Sequence, residues 1–243
     1  RQHQIGIRDS SGTNVSFVST LNGAQNLTIS ASGLTSFGST VGNSAALTSL
    51  TTDASGTVAF SGDVTTTGAQ SFSDAATLNA NAAFSSTGNS DIIFGGTING
   101  AQTLSVTTDG NTTFGGIIGG TNALTSVTTD AGGTTNLNGG NISTTGDQSF
   151  GDAASLGADA VLTGVNVTFD STINGNQNLT ITASGTTTLS GAVGGTSALA
   201  SLTSNGGSTT VLNGSTITTT GAQTLTDAVT LGIDTTLSGT NIN

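Results

Sequence analysis

A chain that repeats itself at a fixed period must fold into something that repeats in space, and this chain says the same thing three times. Residues 64–78 read VTTTGAQSFSDAATL, residues 142–156 read ISTTGDQSFGDAASL and residues 217–231 read ITTTGAQTLTDAVTL. A second phrase recurs as LNGAQNLTI from Leu21, INGAQTLSV from Ile98 and INGNQNLTI from Ile173. A third opens each period: GTNVSF at Gly12, GNSDIIF at Gly88, GVNVTF at Gly164 and a shortened GTNIN at Gly239. The period is therefore 76, 76 and 75 residues, with repeats at 12–87, 88–163 and 164–238 and the start of a fourth at 239–243. Residues 1–11 match nothing downstream and form a separate N-terminal segment, read as a cap or inter-subunit joint.

Within each period, short runs such as NLTITA, TTTLSG and TTVLNG alternate apolar residues with Thr or Ser and break at Gly, Asn or Asp. That alternation, rich in β-branched residues, marks half-buried strands. No window carries apolar residues at helical spacing. The reading is an all-β chain, a right-handed parallel β-helix of about ten coils, each about 25 residues long and three to a repeat. Adjacent coils about 4.8 Å apart would make a rod roughly 50 Å long. Phe37, Phe114 and Leu189 are equivalent, as are Phe72, Phe150 and Leu225, and Phe84, Leu162 and Leu237. Large apolar residues exchange only for one another, as expected of a core ladder. Proline is absent, which leaves every rung free to donate to its neighbour.

Composition excludes several functions. Only 6% of residues are charged; all 13 acids are Asp, and Arg1 and Arg8 are the only Lys or Arg. A net charge of −11 leaves almost nothing to neutralise phosphates, so neither nucleic acid nor an anionic membrane is an expected partner. No apolar run is long enough to span a bilayer. The single His, His3, lies in the non-repeating segment, so no repeat can supply a Ser-His-Asp triad, and the chain is not expected to be an enzyme or to need a cofactor.

The recurring polar residues read as architecture. Gln25, Gln70, Gln102, Gln148, Gln177 and Gln223 each follow a Gly by two positions, which suits an amide that satisfies turn or rung backbone groups; a sugar-binding amide ladder is the alternative. Asp74, Asp152 and Asp227 are equivalent, but coils apart they cannot share a calcium ion, which takes six to eight oxygens; they read as turn caps, and no metal site is expected. The triplets at 65–67, 143–145 and 218–220 raise an ice-binding threonine array, yet they return too seldom for one and read as stacked β-branched rungs.

The phrases ITTTGAQTLTDAVTLG (from Ile217), SGTTTLSGAVGGTSALASLTSNGGSTTVLNG (from Ser184) and INGAQTLSVTTDGNTTFGG (from Ile98) resemble the strand-repeat regions of large secreted bacterial proteins of the filamentous-haemagglutinin-like adhesin type, over residues 12–243. The resemblance implies a right-handed β-helix and an extracellular or cell-surface location. The leading functional expectation is a structural solenoid, subunit or segment, stacking on itself or on flanking solenoid of a longer chain into a surface or matrix fibre. Its candidate joint comprises Arg1 and Arg8 against Asp227, Asp234, Asn241, Ile242 and Asn243. The alternative is an adhesin stalk contacting polysaccharide or host cells, which the lack of Trp and Tyr disfavours.

Overall fold

The structure, a computed structural model, describes residues 14–207 and 209–243. Among these there is no helix: thirty short strands, all paired in parallel, wind into a β-solenoid of about 11 turns. Each turn crosses three faces. The first begins with Val15–Phe17 and runs through five strands, the two bridges Ile98↔Ile118↔Ile142, and six more strands to Asn241–Ile242. The second begins at the bridges Leu21↔Val41↔Val64 and continues through nine strands to Ala228–Leu231. The third runs from Asn26–Ile29 through eight strands, the two bridges Ile173↔Val193↔Ile217, and two strands to Thr236–Ser238.

The turns are shorter than the 25 residues expected. Partners one turn apart are separated by as little as Thr57↔Ala75 and by no more than Ile118↔Ile142, so more turns fit into the same length. Eleven turns over three repeats make three and two-thirds turns per repeat. Equivalent residues consequently do not stack. The strands that open the repeats, Val15–Phe17, Ile92–Phe94 and Val167–Phe169, lie on the first, third and second faces, and Asn241–Ile242 returns to the first. Each repeat is turned by a third of a revolution against the last, and three repeats restore the starting phase.

The extra fraction of a turn resides in a segment that reads as loop in the sequence. At Val41, Ile118 and Val193 a strand begins, leaves the sheet for five residues and rejoins it at Leu47, Leu124 and Leu199. The excursion starts at Gly42, Gly119 and Gly194, with φ of 75°, 70° and 68°. A Cβ on Gly119 would stand 2.2 Å from the Ser143 carbonyl oxygen, so glycine is required both for its backbone angle and for space.

Inward residues from the three faces fill the interior. Phe17, Phe37 and Phe60 stack along the first face at 5.4 Å spacings, and Phe60 and Phe94 meet Phe84 edge-on across the interior at 5.0 and 4.9 Å. The Phe ladder gives way to Leu towards the last turns: in register, Phe150 and Phe169 are followed by Leu189, Leu212 and Leu231. Each buried side chain of this size contributes roughly 1.5–3 kcal/mol.

Replacing Gly119 with Ala should lower stability by about 2 kcal/mol, through φ strain and the carbonyl clash. The exposed Ser44, on the equivalent excursion of the first repeat, should tolerate Ala with little change. Denaturation midpoints of the two variants test this pairing.

Candidate functional site

The glutamines fall into two structural classes. Gln70, Gln148 and Gln223 are wholly buried, one in each repeat. The Gln148 Nε2 donates to the Thr163 carbonyl at 2.9 Å, one turn on, and lies 3.2 Å from Thr144 Oγ1 and 3.4 Å from the Ile142 carbonyl. Gln70 and Gln223 make the same three contacts, to Ser85, Thr66 and Val64 and to Ser238, Thr219 and Ile217. The Thr hydroxyl closes the corner by donating to the glycine carbonyl two residues on, as Thr144 does to Gly146 at 2.8 Å. The amide therefore pins two faces and two turns together.

Gln25, Gln102 and Gln177 remain at least partly exposed, and it is their backbone that recurs. Each lies in a clamp that receives the five-residue excursion of the following turn. The Asn99 Oδ1 accepts the N–H groups of Thr121 and Asn122 at 2.9 and 3.2 Å, the Gly100 N–H donates to Asn122, and the Gln102 carbonyl accepts the Thr125 N–H. Asn22 and Asn174 hold their excursions in the same way. The two phrases most visible in the sequence are thus an amide corner and a loop clamp. Because of the screw, the clamped loops project from the second, first and third faces in turn.

The carboxylates serve the backbone as well. Asp63, Asp91, Asp147 and Asp159 each accept a backbone N–H from the next turn, at 2.8–3.1 Å, and Asn14, Asn81 and Asn166 do the same at 2.7–3.0 Å. A short side-chain oxygen at a corner reaches this N–H, which is why Asp and Asn share the position. Asp74, Asp152 and Asp227 sit deeper. All three are buried; Asp74 and Asp227 accept the Gly56 and Gly207 N–H groups at 2.8 Å, and Asp152 accepts the Thr135 hydroxyl at 3.0 Å. Burial pushes the Asp74 carboxyl up, and it pushes Asp152 up to about 7, with the Thr135 hydrogen bond opposing and the negative charges of Asp130 and Asp109 adding. Asp130 is also raised by burial, whereas the backbone and side-chain donors of Asn178 hold Asp159 below the ordinary value. No group of three or more Asp or His side chains able to hold a metal ion is found among the described residues.

The candidate joint is only partly brought together. Arg1 and Arg8 lie outside the described residues. Asp227 is buried beneath the surface on its own Gly207 contact, while Asp234 is exposed. Asn241 and Ile242 pair with Ala222 and Gln223, and the Asn243 carbonyl accepts the Leu225 N–H at 2.9 Å. The inward positions Leu231 and Ile242 are 60% and 47% exposed, whereas Leu78 and Leu156, equivalent to Leu231, are 2% and 3% exposed. The sequence pointed to the tail of this end and missed the apolar rung, whose signal was the equivalence of Leu231 to two core leucines.

The triplets at 65–67, 143–145 and 218–220 fall on the second, first and third faces, so they build no common array. A different hydroxyl ladder does form: Ser105, Thr128, Ser149, Thr168 and Thr188 stand in register, facing outward on the second face. A shallow depression bordered by Thr144, Thr163, Val165 and Thr182 has no charged residue in its lining.

No protein-family model matches the chain, and no curated protein and no solved structure matches it.

Stability should depend on pH in two senses. Asp152 carries a folded pKa above its unfolded value of 3.8, so its charge opposes folding above pH 7, and that cost is lifted as pH falls from 7 towards 4. Asp159 has the opposite sign, and its contribution is lost only as pH drops below its ordinary 3.8. Denaturation midpoints should rise from pH 8 to about 4.5 and fall below that. The Asp152→Asn variant should be more stable than the parent at pH 8 and show a flatter rise. Separately, Gln148→Leu should cost about 1–3 kcal/mol by leaving buried acceptors without their donor, with loss of hydrogen-exchange protection across that corner.

Proposed function

We propose that this chain is a structural β-solenoid, a subunit or a segment of a rigid extracellular fibre. The observation that supports this best is the closure of phase: three repeats occupy eleven turns, so the last turn presents its three faces in the orientation of the first. A rod with this property extends by stacking without a kink or a change of face, as a heterologous contact that does not close on itself. The polar residues that recur are engaged in corners and clamps, which fits a shaft. The resemblance to strand-repeat regions of filamentous-haemagglutinin-like adhesins supports the same reading and suggests a bacterial surface or matrix location. The charge of −11 with two Lys or Arg residues fits a partner that is neither nucleic acid nor membrane.

The outward ladder Ser105, Thr128, Ser149, Thr168 and Thr188 favours a second reading, a stalk whose second face contacts polysaccharide. Hydroxyls spaced by about 4.8 Å offer a regular row of donors and acceptors.

Electron microscopy across a concentration series separates the two. The fibre reading expects filaments with an axial repeat of roughly 53 Å, the rise of eleven turns at about 4.8 Å each. Discrete rods at every concentration, together with glycan-array binding that is lost in Thr128→Asp/Thr168→Asp, would move the conclusion to the stalk.

A further inference from the structure

We infer that the edge between the second and third faces is a proton-operated seam over five successive turns, held closed when the buried Asp152 carries a proton and loosened when it is ionised. The sequence puts an aspartate into this edge in every one of those turns. Asp91 lies between Ala82–Ser86 and Ile92–Phe94, Asp109 between Thr103–Thr107 and Asn111–Phe114, and Asp130 between Ser126–Thr129 and Thr134–Leu137. Asp152 lies between Gln148–Phe150 and Ala153–Leu156, and Asp170 between Val167–Phe169 and Ile173–Asn174. The backbone ladder continues into this corner: the Asp130, Gly151 and Asp170 N–H groups donate to the carbonyls of Val106, Thr129 and Phe150, each one turn back. Turns about 4.8 Å apart place the five carboxyl groups along roughly 19 Å of one edge.

Asp152 is the member of the row that is closed off from solvent, at 1% exposure. The charged groups that face it are all acidic. Asp130 and then Asp109 lie on the turns beneath it, with Asp91 beyond them, and Asp170 lies on the turn above; no Lys, Arg or His belongs to the described residues. A buried carboxyl among carboxylates favours its neutral form. Burial raises Asp152 to about 7, with the Thr135 hydroxyl opposing and the charges of Asp130 and Asp109 adding. The interior is built to take the proton. Thr135 Oγ1 stands 3.0 Å from Asp152 Oδ2 and 3.1 Å from Thr129 Oγ1, and all three residues are buried. The hydroxyl has a single hydrogen. With Asp152 ionised, that hydrogen goes to the carboxylate; with Asp152 protonated, the carboxyl donates to Thr135, which passes its own hydrogen to Thr129. The ionised state leaves a buried charge whose Oδ1 has no hydrogen-bond partner.

The other repeats lack the combination. The positions equivalent to Thr129, Asp130, Thr135 and Asp152 are Thr52, Asp53, Val58 and Asp74 in the first repeat, and Ser204, Asn205, Thr210 and Asp227 in the third. Val58 has no hydroxyl to relay a proton, Asn205 carries no charge, and Asp74 and Asp227 each accept a glycine N–H at 2.8 Å. The third-of-a-turn offset also puts these corners on other edges, Asp74 between the third and first faces and Asp227 between the first and second. Among the described residues, the Asp152 edge is the one that carries an aspartate on five successive turns. A closed edge that holds the proton more tightly than an opened one sets the sign. Opening becomes more frequent as pH rises from about 4 to 7, and levels off above 7.

The variants that test this already occur as natural residues at the equivalent positions, Asn205 for Asp130→Asn and Val58 for Thr135→Val, so the fold accommodates both. In the full chain with isotope-labelled aspartate, the carboxyl resonance that disappears in Asp152→Asn should titrate at about 7. Asp130→Asn should move that midpoint down by removing a like charge, and Thr135→Val should move it up by removing the carboxylate's donor. Hydrogen exchange, corrected for its intrinsic pH dependence, should show the amides of residues 130–134 and 151–153 opening at least tenfold more often at pH 7.5 than at pH 5. The amides of residues 179–183, on the first face, should change little, and Asp152→Asn should abolish the rise. An Asp152 midpoint below pH 5 would overturn the seam. So would a midpoint of about 7 with exchange at this edge indifferent to pH. Equal loss of protection on all three edges would mean opening of the whole solenoid, and would overturn it as well.

Discussion

Everything in this molecule hangs on parallel backbone hydrogen bonding between successive turns. Each strand is two to six residues long and too short to hold itself, so its position is set by the rung beneath it and the rung above. Side chains then have little freedom of role: alternation sends one set inward to the ladder and the other to solvent. The places where chemistry is needed are the corners, where the backbone leaves one face and cannot pair. There a buried amide, a carboxylate or an asparagine one turn away supplies the missing partner. The dearth of charge and the preference for Asp over Glu follow from that need, since a short acceptor at a corner is what the backbone lacks.

Much of this was legible in the sequence because repetition exposes equivalence. Phe72, Phe150 and Leu225 were recognisable as one position, and strand type, parallel stacking and solenoid class followed from the spacing of such triples. The face that each occupies was not legible. It depends on counting every segment, and the segments at Val41, Ile118 and Val193 are broken by glycine-rich excursions that look like plain loop. Missing them turned three and two-thirds turns per repeat into three. The glutamines show a similar limit: Gln25 and Gln70 stand in the same local phrase, Gly-Ala-Gln. What separates them is the residue four positions earlier, Leu21 against Thr66, whose hydroxyl closes the corner. Nothing local in the phrase carries that information.

The mismatch between a repeat and a whole number of turns has a consequence for the surface. Had each repeat spanned an integral number of turns, equivalent side chains would line up along one edge of the rod and build a flat, uniform array. The third-of-a-turn offset distributes the clamped loops and threonine triplets around all sides instead. A lateral partner of the rod meets similar features from any direction, at axial intervals set by the repeat. Such a surface suits a shaft, which must be indifferent to its own rotation, better than it suits a single-sided reader of a crystalline ligand.

The distribution of charge works with this geometry. Exposed aspartates, among them Asp63, Asp109, Asp147, Asp159 and Asp170, are carried along the sides of the solenoid, where only two Lys or Arg residues in the chain oppose them. Two such rods side by side repel at low ionic strength, and the repulsion is screened within about 10 Å at 0.1 M salt. An unpaired sheet edge is an aggregation hazard unless something restricts how it can be approached. Along the described sides of the solenoid that restriction comes from the charge, which disfavours lateral contact between rods.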